Sequence, residues 1–198
     1  MNFETYFLST DYLKNGNPIQ KRLWKDLDEN SILGKISKFN PVIAGTIPLE
    51  IDHDQSDVDI LCSFSQIEEF SEVCTSSFSV FSDFKLERKK FQDADSIVVR
   101  FYTKEFAYEI FGQRIPVIDQ MGFVHLQVEQ KILSIAGTRF RDNIRSLKRK
   151  GLKTEHAFCD LLGIKENPYQ TLFDLRLFSD EELRNFILAS EFFSVSDK

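Results

Sequence analysis

Residues 45–60 read Gly45-Thr46-Ile47-Pro48-Leu49-Glu50-Ile51-Asp52-His53-Asp54-Gln55-Ser56-Asp57-Val58-Asp59-Ile60, and Asp57 and Asp59 stand two apart in the alternating run SDVDILCSF over 56–64. On a β-strand that spacing sends both carboxylates out of one face. Two adjacent carboxylates repel and need a counter-charge, which a divalent cation supplies. Hard oxygen ligands suit Mg²⁺, which keeps several waters and completes its shell with substrate phosphates. Upstream, Gly45 and Thr46 close the short apolar run 41–46. Glycine there lets backbone N–H groups approach an anion, and threonine adds a hydroxyl. A phosphate chain fits between this turn and the metal, with Ser56 as a further polar neighbour.

A third acid, Glu109, interrupts the apolar and aromatic run FAYEIFG over 106–112. Burying an unpaired carboxylate is costly, so Glu109 should face a cation or solvent. If its strand lies beside that of Asp57 and Asp59, three carboxylates converge, the geometry of two-metal phosphoryl transfer.

Around this centre the chain alternates in character. Asn17-Pro18 starts a helix in which Ile19, Leu23, Trp24 and Leu27 share a face. Ser31 is placed to cap a second, short helix reaching about Lys38, before Asn40-Pro41. Residues 65–75 read as a helix between strands, and SFSVFSDFKLE, SIVVRFYT and FAYEIFG read as strands ending in a meander. After Pro116 the strand signals stop. Helices are expected over 118–136 and 139–150, the latter ended by Gly151, then one capped by Thr154 through Leu162 and one capped by Ser179 through about Phe192. The expected division is 1–114, an α/β half with N-terminal helices, and 115–198, a helical half. The fold class is α+β: a mixed β-sheet with helices, followed by a C-terminal helical bundle.

Composition bounds the possibilities. The 198 residues carry 25 Lys plus Arg and 31 Asp plus Glu, a net charge of −6 that argues against a DNA-coating protein. A chain of this length buries about 70 % of its unfolded surface and needs no staple. No apolar run approaches the roughly 18 residues of a membrane span, and MNFETYFLSTDYLKN lacks the basic start of a signal peptide. Cys62, Cys74 and Cys159 are an odd number at wide spacing, as expected of reduced thiols in a cytoplasmic protein. None has a neighbouring His, and they read as inert. The 20 Phe residues predict an aromatic core.

A Gly-Thr pair, an Asp-x-Asp about ten residues on and a later acidic strand resemble the DNA-polymerase-β-type nucleotidyltransferase superfamily. GTIPLEID, SDVDI, YEIFGQ, HLQVE and GLKTEHAF resemble more closely an uncharacterised bacterial family, a domain of unknown function placed in that superfamily, over about residues 30–175. The resemblance implies a nucleotidyltransferase-like fold, with Asp57, Asp59 and Glu109 as catalytic metal ligands and Gly45-Thr46 near nucleotide phosphates. Two features depart from the superfamily pattern. Thr46 stands where Ser is usual, and IPLEIDHDQ reads as a loop or single turn where a helix usually follows.

Other signals have plainer readings beside the functional one. Arg139, Arg141, Arg145, Lys148, Arg149, Lys150 and Lys153 crowd a stretch whose acid is Asp142. This is either a solvated helix with bases near its C-terminus or a basic wall for triphosphate or RNA. Arg145 and Lys153 are the nucleotide-binding candidates in it, Lys153 because it precedes the Thr154 helix N-terminus. His125 and Glu129 are four apart on a helix; a hydrogen bond from His125 to the α/β half, or a Glu129 salt bridge, fits better than zinc.

The expected function is Mg²⁺-dependent transfer, with two ions, of a nucleoside monophosphate from an NTP to a hydroxyl. The acceptor is a small molecule or protein, less readily RNA, with no membrane partner. The alternative is a catalytically inactive nucleotide-sensing or protein-binding module of the same fold.

Overall fold

A computed structural model describes residues 3–54, 56–91 and 93–194. They divide into two compact units, one holding the described residues of 1–48 and 56–123, the other those of 49–55 and 124–198.

The first unit begins with α1 (Phe3–Tyr6), α2 (Asp11–Asn15), α3 (Pro18–Glu29) and α4 (Ile32–Lys35). Asn17 caps α3 as its sequence predicts: its side chain accepts from the Gln20 N–H, and the Gln20 side chain accepts in return from the Asn17 N–H. Ser31 does not cap in the expected way. It lies at φ 51° with no side-chain cap bond, and α4 stops at Lys35, before a 3₁₀ turn over Ser37–Phe39.

The sheet follows: β1 (Val42–Ala44), β2 (Val58–Ser63), α5 (Ile67–Phe78), then β3 (Ser82–Phe91), β4 (Ala94–Tyr102) and β5 (Ala107–Gln113), in the order β1-β2-β5-β4-β3. The last three strands form the expected antiparallel meander, β5 runs parallel to β2, and β1 is antiparallel to β2. The strand expected from Ser77 starts later, because α5 runs on through Phe78. Phe70, Cys74 and Phe78, four apart, are all fully buried, so the helical period wins there.

Where β2, β5 and β4 pair, one face of the sheet is apolar. Val58, Ile60 and Cys62 stand in register with Tyr108, Ile110 and Gly112, and these with Phe101, Val99 and Ile97. Aromatic rings cover it: Phe78 and Tyr108 each stack on Phe101, at 4.7 and 5.1 Å. Phe70 lies so close over Gly112 that a Cβ there would meet it at 2.5 Å. The Tyr108 and Thr103 hydroxyls donate to Asp26 Oδ2 at 2.6 and 3.0 Å, fastening α3 to the sheet.

The second unit is helical. The run α6 (Met121–Arg149) is broken at Gly137, whose φ of 79° and ψ of −172° separate the two helices expected there. At its end the Leu152 N–H bonds to the Leu147 carbonyl and the Gly151 N–H to that of Lys148, with Gly151 at φ 94°. That is a Schellman stop, which requires a left-handed residue. Then come α7 (Thr154–Leu162), α8 (Pro168–Asp174), α9 (Asp180–Leu188) and α10 (Glu191–Ser194). Lys153, not Thr154, occupies the cap position of α7, and the Thr154 hydroxyl instead accepts from Lys148 Nζ at 2.8 Å. The helix from Ser179 carries a capping box with Glu182 but ends at Leu188, short of Phe192. Helix α8, capped by Asn167 ahead of Pro168, adds to the sequence expectation. Among the described residues no helix is long and apolar enough to cross a membrane.

Candidate functional site

The face of the sheet opposite the aromatic core carries a charged row. Asp59 of β2 is the register partner of Glu109 on β5, and Glu109 that of Arg100 on β4. Residues opposite one another on adjacent strands share a face, so the sheet places Asp59 and Glu109 side by side, with Asp57 one strand period before Asp59. Cys62 lies on the buried face.

Gly45 sits where β1 ends, one residue beyond Ala44, the partner of Asp59. Its φ is 73°, and a Cβ added to it would lie 2.0 Å from Asp59 Oδ2. Only glycine leaves room for that carboxylate. The Thr46 hydroxyl donates to Ser56 Oγ at 3.2 Å, so the turn and the start of β2 are joined at the mouth of the site. Residues 46–50 form turns and no helix, in keeping with the loop reading of this segment. The turn is fastened from below: the buried Gln20 amide donates to the Ile47 carbonyl at 3.0 Å and reaches that of Pro48 at 3.5 Å.

Asp57 is exposed and Asp59 half-buried. The two carboxylates are hard oxygen donors of the kind a divalent cation takes, and Gly45 leaves room for that of Asp59. Glu109 is engaged differently. Arg100 Nη2 and Nε reach its Oε2 at 2.6 and 2.7 Å, while Arg100 Nη1 holds Glu87 Oε2 at 3.0 Å. Among the described residues no group of three His, Cys, Asp or Glu side chains is close enough to hold a metal ion. Arg100 is the site neighbour that sequence reasoning missed. Its signal was a lone Arg in the apolar run SIVVRFYT, but its partner depends on strand register.

Arg145 and Lys153 belong to the helical unit. Arg145 Nη1 pairs with Asp142 at 3.1 Å. In the same unit, burial holds the Asp52 carboxyl above the ordinary range against the pull of its own backbone N–H and of Arg145. Lys153 is exposed and lines an open pocket of about 770 Å³ with His156, Cys159, Asp160, Lys165 and Tyr169. His125 bonds to residues of its own unit. Its Nε2 lies 2.8 Å from the Tyr169 carbonyl and its Nδ1 3.6 Å from Glu155 Oε1. HLQVE and GLKTEHAF therefore meet in one polar cluster of His125, Glu129, Lys148, Thr154 and Glu155. Burial, reinforced by Glu155, pushes the Glu129 carboxyl well above its ordinary value against the pull of Lys148. Burial opposes the Glu155 carboxylate too, but the His125 hydrogen bond and the charges of His125 and Lys148 hold it below the ordinary range.

A family model described as a domain of unknown function, DUF4269, matches residues 25–175. The chain belongs to the DUF4269 family. No curated protein matches the sequence. Among solved structures, this DUF4269 chain is similar to the Cid1 poly(U) polymerase with MgGTP bound, at TM-score 0.51 and 12 % identity over 82 % of this chain and 53 % of that one. The GLD-2/RNP-8 complex matches at TM-score 0.48 and 11 % identity, over 90 % of this chain and 80 % of that one. The polymerase core of TRAMP matches at 0.47 and 10 %, over 97 % and 64 %. The chain spans about half the length of the Cid1 structure. The fold is nucleotidyltransferase-like: a five-stranded mixed sheet with helices and a C-terminal helical part.

Proposed function

We propose that this DUF4269 chain is a Mg²⁺-dependent nucleotidyltransferase, moving a nucleoside monophosphate from an NTP to a hydroxyl. The observation that carries the proposal is the carboxylate row: Asp59 faces Glu109 in register and is cradled by a glycine that no other residue can replace without displacing it. The likeness in fold to a poly(U) polymerase crystallised with MgGTP supports a nucleoside triphosphate as ligand.

Asp57 and Asp59 hold the cation, and Glu109 is the third acid of the row. Gly45, Thr46 and Ser56 bind phosphate through the turn's N–H groups and hydroxyls. In the helical unit, Arg145 and Lys153 are proposed phosphate ligands. A bound Mg²⁺ would supply a Lewis acid for the triphosphate and lower the pKa of the acceptor hydroxyl. In the reaction the hydroxyl oxygen bonds to the α-phosphorus, the bond between that phosphorus and the α–β bridging oxygen breaks, and pyrophosphate departs as the hydroxyl proton passes to solvent. The acceptor is proposed as a small molecule or protein.

Each of the four NTPs, labelled at the α-phosphate, is incubated with Mg²⁺ and fractionated cell extract. Label should appear in one acceptor class, with pyrophosphate release, and vanish with Asp57→Asn/Asp59→Asn. A second reading, a nucleotide sensor without turnover, is favoured by the Arg100 contact, which gives Glu109 a counter-charge without any metal. It predicts Mg²⁺-dependent NTP binding with no label transferred in any fraction.

A further inference from the structure

At one end of the sheet order stands β1, three residues long, and at the other stands β3, ten residues long. A sheet edge leaves backbone N–H and C=O groups without a strand partner, and a very short edge strand is one way proteins limit this. β1 is of that kind and β3 is not. The register tells which groups of β3 point outward. At the turn between β4 and β5 the Thr103 N–H bonds to the Phe106 carbonyl. Antiparallel hydrogen bonding alternates residue by residue from there. Phe101, Val99 and Ile97 therefore turn their backbone groups to β5, and Arg100, Val98 and Ser96 turn theirs to β3. The partners of the latter three, Lys85, Glu87 and Lys89, bond back to β4. Leu86, Arg88 and Lys90 present both N–H and C=O to the open side, and they make no further backbone bond among the described residues.

The side chains along this edge are basic. β3 carries Lys85, Arg88, Lys89 and Lys90 against Asp83 and Glu87, in a chain whose net charge is −6. All four bases are exposed. Lys85 and Lys90 have no ion pair among the described residues, and Arg88 reaches Glu68 only at 3.6 Å. Because side chains alternate, Lys85 and Lys89 lie on one face and Arg88 and Lys90 on the other. A strand laid along the edge meets bases on both of its faces.

We propose that the outer edge of β3 docks an extended acidic segment of a partner protein, which joins the sheet as a further strand beside Leu86, Arg88 and Lys90. Main-chain bonds supply affinity in this mode of recognition, and side chains supply specificity. Opposite charges across a strand pair stabilise it and like charges destabilise it, so the bases that repel another basic strand select an acidic one. A second copy of β3 centred on Lys89 would set Lys89 against itself and Arg88 against Lys90. An RNA phosphate backbone offers acceptors for the three N–H groups but no donors for the carbonyls, whereas a peptide matches both. The proposal stands apart from the nucleotidyltransferase reading, since the side chains of Leu86, Arg88 and Lys90 lie on the face opposite the carboxylate row.

The probe is a fluorescein-labelled peptide of repeated Glu-Asp-Val triplets, as long as β3, which places acids on both of its faces. The full chain should bind it, and amide exchange read residue by residue by NMR should slow at Leu86, Arg88 and Lys90. The same peptide N-methylated along its backbone keeps its charge and should bind at least about tenfold more weakly. Arg88→Gln should weaken binding by about two- to fivefold. Arg88→Pro also removes an outward N–H, which an edge strand tolerates, and should cost a further ~3- to 10-fold. The N-methylated peptide on wild type decides the matter even if Arg88→Pro does not fold. No binding, binding without slowed exchange, or equal binding of the N-methylated peptide overturns the proposal. So does a poly(U) oligonucleotide that displaces the peptide and binds more tightly, or slowed exchange at these amides in the free chain that grows with its concentration, which would assign the edge to RNA or to a second copy.

Discussion

Gly45 is the residue at which backbone geometry and site chemistry meet. An L-residue at its left-handed φ costs about 1–2 kcal/mol, and a Cβ would displace the Asp59 carboxylate. Gly45→Ala should therefore lower stability in urea by at least about 1 kcal/mol and weaken divalent-cation binding with it. An alanine variant of native stability and native Mn²⁺ affinity would show that the cradle has no such role. The cysteines give a second residue-level expectation. Burial pushes the Cys74 thiol up to about 12 and that of Cys159 up to about 11. At about pH 8 almost no reactive thiolate is present, so the native chain should resist iodoacetamide that labels it promptly in urea. Fast labelling of the native chain would contradict this. Single residues were legible where chemistry alone identified them. Asp57 and Asp59 stood out by alternation, Gly45 by its place at a strand end, and Glu109 as an acid in an apolar run. Arg100 was not, because its meaning lies in the register between β4 and β5, which local sequence does not encode.

Among the elements, α3 does more than cover the sheet. Its Gln20 amide closes the capping box with its oxygen and holds the turn after Thr46 with its nitrogen. Gln20→Ala leaves the Ile47 carbonyl without this donor and removes half of the capping box, at a cost of about 1–3 kcal/mol. Hydrogen exchange should speed up both at the start of α3 and across residues 45–48. Acceleration confined to α3 would mean that the turn is held by other bonds. Element boundaries were legible where a cap chemistry is local, as at Asn17, Ser179 and Gly151. They were misplaced where burial decided. Helix α5 overran the expected strand start because Phe70, Cys74 and Phe78 share a buried stripe. Thr154 lost its expected capping role because its hydroxyl serves Lys148.

At the scale of the entire chain, the buried polar cluster of the helical unit couples stability to pH. Burial raises the Glu129 carboxyl, so the folded chain holds a proton that the unfolded chain releases once pH passes the ordinary carboxylate range. The stability associated with that proton is complete below the unfolded pKa and is lost as pH rises through the folded one. Glu129→Gln keeps the shape without the charge. It should raise the melting temperature above the ordinary carboxylate range, by about 2–4 °C per kcal/mol recovered, with little effect at about pH 4. His125, Lys148 and Glu155 stay in place to show that the change is local to Glu129. An equal shift at acid and alkaline pH would exclude this linkage. For the chain's function, the decisive measurement is thermal unfolding with each NTP, with and without Mg²⁺, on wild type and on Asp57→Asn/Asp59→Asn. A ligand at about 100 times its dissociation constant adds roughly 2.7 kcal/mol, which is about 5–10 °C for a chain of this size. A Mg²⁺-dependent rise with at least one NTP, absent in the double variant, is the expected result. No rise with any NTP, or a rise that survives loss of both aspartates, would show that the carboxylate row is not a nucleotide site.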